Sequence, residues 1–599
     1  MKKENTFLKV LPLLFAIFLL AYPQESSANE WEDYQQGVEL MEKGKYNEAI
    51  IKLERAAKVA PKASTYRKLA ISYEKTNQFQ KAAETYYLEA DIFRNLGGYL
   101  DTYNAVKSKG DALYTEIDLF ISEEVQLPKQ QLGKYEPTSG MYVGAYIEQE
   151  TNSVNKYRDF NSVTGKDHAV YFKYLNYGLP FPAEFAKQVK EVGGSIQIAF
   201  EPEEGLNAVK DNEYLRQFAR DANDSGIPVF LRYASEMNGE WVPWNGDPEL
   251  YKQKFSLVAK VMKEEAPNVA MAWVPNSVPE KNIDAYYPGD DVVDWVGMNL
   301  YSVPFFNGDP NKPAEDVNPL DLVDDFYQKY ASKKPMMIGE YAASHFSSVG
   351  NTDVTKFGTT KLLMFYHGLQ MKYPNIKAVH WFNVDTINGN NINHGRRLNN
   401  FNLLRNNQML SAYKKMLKQP YFLSEVVNGP NVDGEDALLN TSSLLQGSSL
   451  FHSVNGLGFI KTYDPYINKV VYELNGKLLS ESKQYPFEFY LDHAKLQKGT
   501  NKLVVTAYDS KGKAAGKKAV SFKKGPDIIK ANKNTLNLFI DEKTVFNEKG
   551  SLQLLAPVSF KEGRSFVPLR FISETLGAKV GWNEKTKQIT ISNGEDSLV

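Results

Sequence analysis

Eight short, nearly continuous apolar runs recur between residues 141 and 382, and helical patterns separate several of them. They are Met141 to Ile147, Ala169 to Leu175, Ser195 to Phe200, Pro228 to Tyr233, Val269 to Val274, Val293 to Leu300, Pro335 to Gly339 and Ile376 to Phe382. Between them lie helical segments at Pro182 to Val192, Glu213 to Ser225, Leu250 to Glu265, Leu320 to Ala331 and Thr359 to Lys372. A strand that is apolar throughout must be covered on both faces, as happens where crossover helices flank a parallel sheet. Eight such units predict a closed (β/α)8 barrel over residues 138–422.

At 599 residues the chain exceeds what one hydrophobic core can organise, so further domains are expected on either side. The first 28 residues show Lys2 and Lys3, an apolar run from Leu8 to Ala21, and Ser26-Ser27-Ala28, which is the pattern of a cleavable signal peptide. Export implies an extracellular or cell-wall-associated protein with no membrane span after cleavage. Residues 29–115 follow a helical period. Gly37, Ala49, Leu53, Ala56 and Pro61, then Ala83, Tyr87 and Ala90 about 34 residues on, resemble tetratricopeptide helix pairs. That resemblance implies either a partner-docking surface or a helical spacer.

After the barrel the pattern alternates with period two. Val470 to Leu474, the Asn475-Gly476 turn, Pro486 to Leu491 and Leu503 to Tyr508 predict hairpins of a β-sandwich over 423–525. This stretch is similar to bacterial immunoglobulin-like modules. The segment 530–599, with Ser565 to Phe571 and Leu576 to Trp582, resembles the small stalk module found at the start of copper amine oxidases. It contains no histidine, so the resemblance implies no copper.

A formal net charge of −2 gives no basic field for collecting nucleic acid. Without a single cysteine the chain has neither disulfides nor thiol chemistry, and its seven histidines fall at no zinc-ligand spacing. No glycine-rich phosphate loop precedes a helix, so neither a metal nor another cofactor is implied. The 36 tyrosines and 33 phenylalanines suit sugar stacking as well as core packing.

In such a barrel the chemistry lies at the carboxyl ends of the strands. The third run ends Phe200-Glu201-Pro202, and the fourth passes into the thirteen-residue stretch from Arg232 to Trp244 that holds Ser235, Glu236, Asn238 and Trp241. The sixth ends Asn299-Leu300-Tyr301, the seventh Gly339-Glu340-Tyr341 and the eighth His380-Trp381-Phe382-Asn383. Glycoside hydrolysis with retention needs two carboxyl groups, a proton donor and a nucleophile about 5–5.5 Å apart. Glu236, beside two tryptophans, is the expected acid, because an apolar setting holds the proton until the leaving oxygen takes it. Glu340 is the expected nucleophile and Tyr301 a donor to it. Arg232 either orients the carboxylates or forms an internal ion pair. Trp273 and Trp295 are expected in the core, and His380 and Asn383 are further candidates for the cleft. The loop from Asn388 to Asn402, with His394, Arg396 and Arg397, is either a substrate lip or a set of turns.

Together these residues resemble glycoside hydrolase family 26, which includes β-mannanases and β-glucanases. The likeness covers residues 140–422 and rests on the stretch around Glu236, the strand-seven Gly-Glu, Glu201-Pro202 and Trp381. It implies that Glu236 is the acid/base and Glu340 the nucleophile. It also implies that Trp241, Trp244 and Trp381 are sugar platforms, with Glu201, Arg232, Asn238 and Tyr301 as further substrate-site residues. One departure is visible: the family histidine before the acid/base is Ser235 here. The expected activity is endo-acting cleavage of a β-linked polysaccharide (a mannan, a β-glucan or an exopolysaccharide). The alternative is a non-catalytic scaffold that holds a glycan in the barrel.

Overall fold

The computed structural model describes residues 29–598 except 123–124, 127–131, 151–153, 389–396, 428–437, 440–441, 529–535, 548–549, 555, 576–578, 584–587 and 594–595. The signal-peptide reading and the lip residues His394 and Arg396 lie outside the described residues. Among the described residues no helix is long and apolar enough to cross a membrane.

The chain divides after Thr115 into two units. The first contains helices Asn29–Glu42, Tyr46–Val59, Ala63–Lys75, Phe79–Leu96 and Leu100–Leu113. Consecutive helices approach closely on small residues such as Ala49 and Ala82, with Leu53, Leu69 and Tyr73 filling the space between them. A Cβ at Gly37 would come within 2.7–2.8 Å of Leu53, so glycine is needed for that approach.

In the second unit the eight apolar runs form eight parallel strands: β1 (Met141–Tyr146), β2 (Val170–Asn176), β3 (Ser195–Glu201), β4 (Val229–Tyr233), β5 (Val269–Trp273), β6 (Trp295–Ser302), β7 (Met336–Ala343) and β8 (Ile376–Phe382). Pairing of β8 with β1, from Ala378↔Tyr142 to Phe382↔Tyr146, closes the barrel. Successive side chains alternate between the lumen and the surrounding helices. Phe230 meets Trp295 and Tyr142 inside, whereas Tyr233 packs outward on Tyr251 and Phe255. The amphipathic helix Glu213–Asp224 buries Leu215, Phe218, Ala219 and Ala222 against that outer face, and Asn212 caps its start by accepting from Leu215 N–H.

Strand β7 breaks the alternation. Met298 of β6 faces Ile338, but the next residue, Asn299, faces Glu340, so Gly339 is the extra residue of a β-bulge. On the other edge Val379 and Trp381 of β8 face Ile338 and Tyr341. Met337 already points into the lumen. The bulge rephases the strand and turns Glu340 inward as well.

The β-sandwich is not contiguous in sequence. Strand Glu116–Ile121, which precedes the barrel, pairs antiparallel with Val454–Lys461, and that strand pairs with Phe487–Leu491. The facing sheet contains Lys469–Leu474, Gly499–Tyr508 and Ala514–Lys524. Ile117, Leu119 and Ile121 supply every second residue of the first strand to the shared core with Tyr472, Val505 and Phe522. The sandwich therefore includes a strand upstream of the expected 423–525 segment, and the barrel is inserted within it. Four residues beyond Ile121, Val125 pairs with Ser551 of the C-terminal segment.

Candidate active site

Strand β4 ends at Tyr233, and the chain then turns sharply, with Ala234 at φ 45° and Glu236 at φ 58°. Left-handed backbone at non-glycine residues is costly and is kept where the surroundings over-determine it. Here Glu236 N–H donates to the Val274 carbonyl at 2.9 Å, and the Glu236 carbonyl accepts from Gly239 N–H at 2.9 Å. The strained turn aims the carboxylate across the mouth. Three N–H donors meet it in place of the expected apolar setting. Asn276 and Asn299 donate to Oε1 at 3.0 and 2.8 Å, and the Trp241 indole donates to Oε2 at 2.8 Å. Trp241 reaches back over Gly239, where a Cβ would collide with the indole at 2.3 Å. The Trp241 side of Glu236 is the open rim, since that ring is 44% exposed.

Glu340 is held more deeply. Arg232 Nη2 and the Tyr174 hydroxyl each donate to Oε1 at 2.5 Å, and the Tyr301 hydroxyl donates to Oε2. Burial, reinforced by Glu340, pushes both tyrosines far above the usual phenol range, so they remain neutral donors. Arg232 is fully buried. Its guanidinium lies 5.3 Å from the Phe172 ring centre and 5.5 Å from that of Tyr174, and although burial opposes its charge, Glu340, Tyr174 and Glu201 hold it protonated. Arg232 Nη1 also donates to Asn299 Oδ1 at 3.4 Å. Asn299 thereby links the two glutamates, donating to Glu236 and accepting from the arginine that holds Glu340. Glu201, at the end of β3, has its carboxyl pushed up to about 8, chiefly by burial; Arg232 opposes this, while Glu340, Glu203 and Glu236 add to it. At neutral pH it is a protonated acid capable of donating.

Four expectations are corrected. Trp381 is wholly buried on the outer face of β8, packs on Tyr341 and Tyr413, and donates to the Phe401 carbonyl, so it offers no face to a sugar. Its neighbour Phe382 occupies the mouth instead, stacked on Tyr146 at 5.2 Å and edge-on to Tyr301 at 5.6 Å. Trp244 is buried with its indole donating to the Ser235 carbonyl, and so fixes the turn from beneath. Asn238 is buried, binds the Asn276 and Pro279 carbonyls, and accepts from Asn276 N–H, which makes it a brace for the loop that carries Asn276. Arg232 cannot reach a substrate and acts through Glu340. His380 and Asn383 are also buried; His380 Nδ1 lies 2.8 Å from the Ile338 carbonyl and Asn383 accepts from Leu403 N–H. Trp273 and Trp295 are core residues, Trp273 under the outer helices and Trp295 in the lumen. Tyr174 went unrecognised in the sequence, while Asn276, Asn299 and Phe382 stand at the strand ends already singled out but had no role assigned to them. Counting by twos from Val170 places Tyr174 on the lumen face, and this is the signal that identifies it.

Residues 194–312 match the family described as Glycosyl hydrolase family 26, and residues 502–591 match Copper amine oxidase N-terminal domain, a stretch without histidine. The matched residues run from β3 to β6, and over that stretch the barrel is similar to glycosyl hydrolase family 26. Among curated proteins the chain is similar to Endoglucanase H of Acetivibrio thermocellus, with 25% identity over 273 residues, 42% of this chain and 29% of that protein. It is 30% identical over 190 residues to Beta-1,3-xylanase TXYA of a Vibrio species, covering 28% of this chain and 40% of that one. To Mannan endo-1,4-beta-mannosidase of Bacillus subtilis it is 28% identical over 167 residues, covering 26% and 39%. The chain thus spans well under half the length of these relatives. A Cellulomonas fimi endo-beta-1,4-mannanase structure matches at 14% identity and TM-score 0.35, over 66% of this chain and all of that one.

Proposed function

We propose that the chain is an exported, retaining endo-β-glycosidase with Glu236 as acid/base and Glu340 as nucleophile. The observation that carries this reading is the hydrogen-bonded path from Glu236 through Asn299 and Arg232 to Glu340, which ties two carboxyl groups on nonadjacent strands into one mouth. Two N–H donors occupy Glu236 Oε1, so a proton on this residue sits on Oε2, beside the open rim. Two donors likewise occupy Glu340 Oε1, whereas Oε2 accepts only from Tyr301 and keeps a lone pair for the anomeric carbon.

In the first step Glu340 Oε2 forms a bond to the anomeric carbon while the glycosidic C–O bond breaks and the leaving oxygen takes the proton of Glu236. In the second, Glu236 removes a proton from water, the water oxygen bonds to the same carbon, and the ester bond to Glu340 breaks. Arg232, Tyr174 and Tyr301 stabilise the carboxylate as it leaves, and Trp241 and Phe382 offer ring faces to the sugar. The substrate is a β-linked polysaccharide of the mannan, glucan or xylan class, with Ser235 standing beside Glu236 where the family has histidine. Export is supported by Lys2, Lys3 and the apolar run behind them.

The test is release of reducing ends from a panel of β-mannan, mixed-linkage β-glucan and β-1,3-xylan. Release that vanishes in Glu340→Gln supports the enzyme. Binding without release on every polymer supports a glycan-holding scaffold instead.

A further inference from the structure

A second cavity, of about 1430 Å3, shares no residue with the barrel mouth. It lies between the barrel helices Thr355–Lys372 and Asn407–Leu417 on one side and sandwich residues 483–490 on the other. Its volume exceeds the ~300–1,000 Å3 of pockets for compact small ligands, so an elongated occupant fits it better.

The lining has three properties. Aromatic rings stand along the sandwich wall: Tyr466, Tyr485 and the half-exposed Tyr490. Polar side chains Thr359, Asn407, Gln408 and Gln419 line the barrel wall, and behind them His367 and Gln370 are buried, with His367 Nδ1 and Gln370 Oε1 lacking a hydrogen-bond partner among the described residues. The Tyr421 hydroxyl on the same lining is likewise without one. Finally, Lys356, Lys415 and Lys483 face the cavity against a single acid, Glu488. Lys483 also reaches Glu481 at 3.4 Å, and Lys356 sits 4.2 Å from the centre of the Tyr466 ring. Burial, with Lys415 adding to it, holds His367 neutral with its pKa lowered to about 3, so the histidine is a hydrogen-bonding group and not a further cation.

Ring faces for C–H surfaces, amide and hydroxyl side chains for hydroxyls, and a surplus of ammonium groups for carboxylates describe one ligand chemistry. We propose that the junction of barrel and sandwich is a second saccharide-binding site that takes an oligosaccharide segment bearing uronic-acid sugars. Such a site grips the polymer beside the barrel and does not depend on the chemistry at the mouth.

The full chain is titrated calorimetrically with hexameric hyaluronan, oligogalacturonate and a glucuronoxylan fragment, with cellohexaose as the neutral control. Saturable binding of at least one uronate oligomer, tenfold or more tighter than cellohexaose, is expected. It should weaken at least tenfold in Lys356→Ala/Lys415→Ala and in Tyr490→Ala, persist in Trp241→Ala, and leave reducing-end release by the lysine variant unchanged. The proposal is overturned if no uronate oligomer binds, if binding survives both cavity variants, or if it is lost in Trp241→Ala, which would place it at the barrel mouth. Failure of the hydrolase reading shows separately, as absent reducing-end release.

Discussion

Arg232 and Glu340 form an ion pair with both side chains out of water, Nη2 to Oε1 at 2.5 Å. Removing one partner of a buried pair strands the other charge, at a cost of about 3–5 kcal/mol. Glu340→Ala should therefore lower the denaturant midpoint markedly, whereas Glu340→Gln, which still accepts from the guanidinium, should lose less than half as much. Both should lack hydrolysis. Urea unfolding of the two variants beside the parent chain measures the difference, and equal midpoints would contradict the account of Arg232.

The bulge at Gly339 makes a second prediction. A Cβ there would come 2.6 Å from Asn299 Oδ1 and 2.8 Å from Val274 Cγ1, inside a packed lumen. Gly339→Ala should displace Asn299, break the bridge between the glutamates, and cost about 1–3 kcal/mol from overpacking. Activity should fall with KM little changed, because the loss is in aiming the carboxylates. A thermal melt and steady-state kinetics test both halves.

The proposed function gives Trp241 two roles that substitution separates. Trp241→Phe keeps a ring on the rim and removes the N–H that donates to Glu236 Oε2. Its kcat should fall by no more than about 100-fold with KM nearly constant. Trp241→Ala should also raise KM, since the sugar loses its platform. If Trp241→Phe raises KM as much as Trp241→Ala, the indole N–H has no part in the chemistry.

Glu201 sets a pH dependence of stability. In the folded chain its proton is held to about pH 8, against an ordinary 4.5. A raised acid is a contribution that is fully present below the unfolded value and is lost as pH rises through the folded one. Between pH 5 and 8 the unfolded state has released the proton and the folded state has not, so stability should fall with a slope approaching ~1.4 kcal/mol per pH unit from this group. Glu201→Gln should flatten that decline. Denaturant midpoints at pH 5 and 8 for both chains provide the comparison.

The barrel was legible because strands buried on both faces must be apolar, and the positions of the two glutamates, just past β4 and within β7, were legible from the apolar runs they adjoin. What one strand's pattern cannot reveal is the phase of its side chains. Trp381 and Phe382 are adjacent, and period two sends one under the helices and the other into the mouth. In β7 the phase itself slips at Gly339, and only pairing with Asn299 on β6 exposes this. The strand Glu116–Ile121 alternates clearly, but its partner lies more than 330 residues on, at Val454–Lys461, and nothing local announces that distance.

The central claim is double displacement at a sugar held between Glu236 and Glu340. Proton NMR of the reducing ends first released from whichever panel polymer is cleaved tests it most directly. The account predicts that the β-anomer appears first and the α-anomer only by later mutarotation, with no release by Glu340→Gln. Initial release of the α-anomer, or undiminished release by that variant, would contradict it.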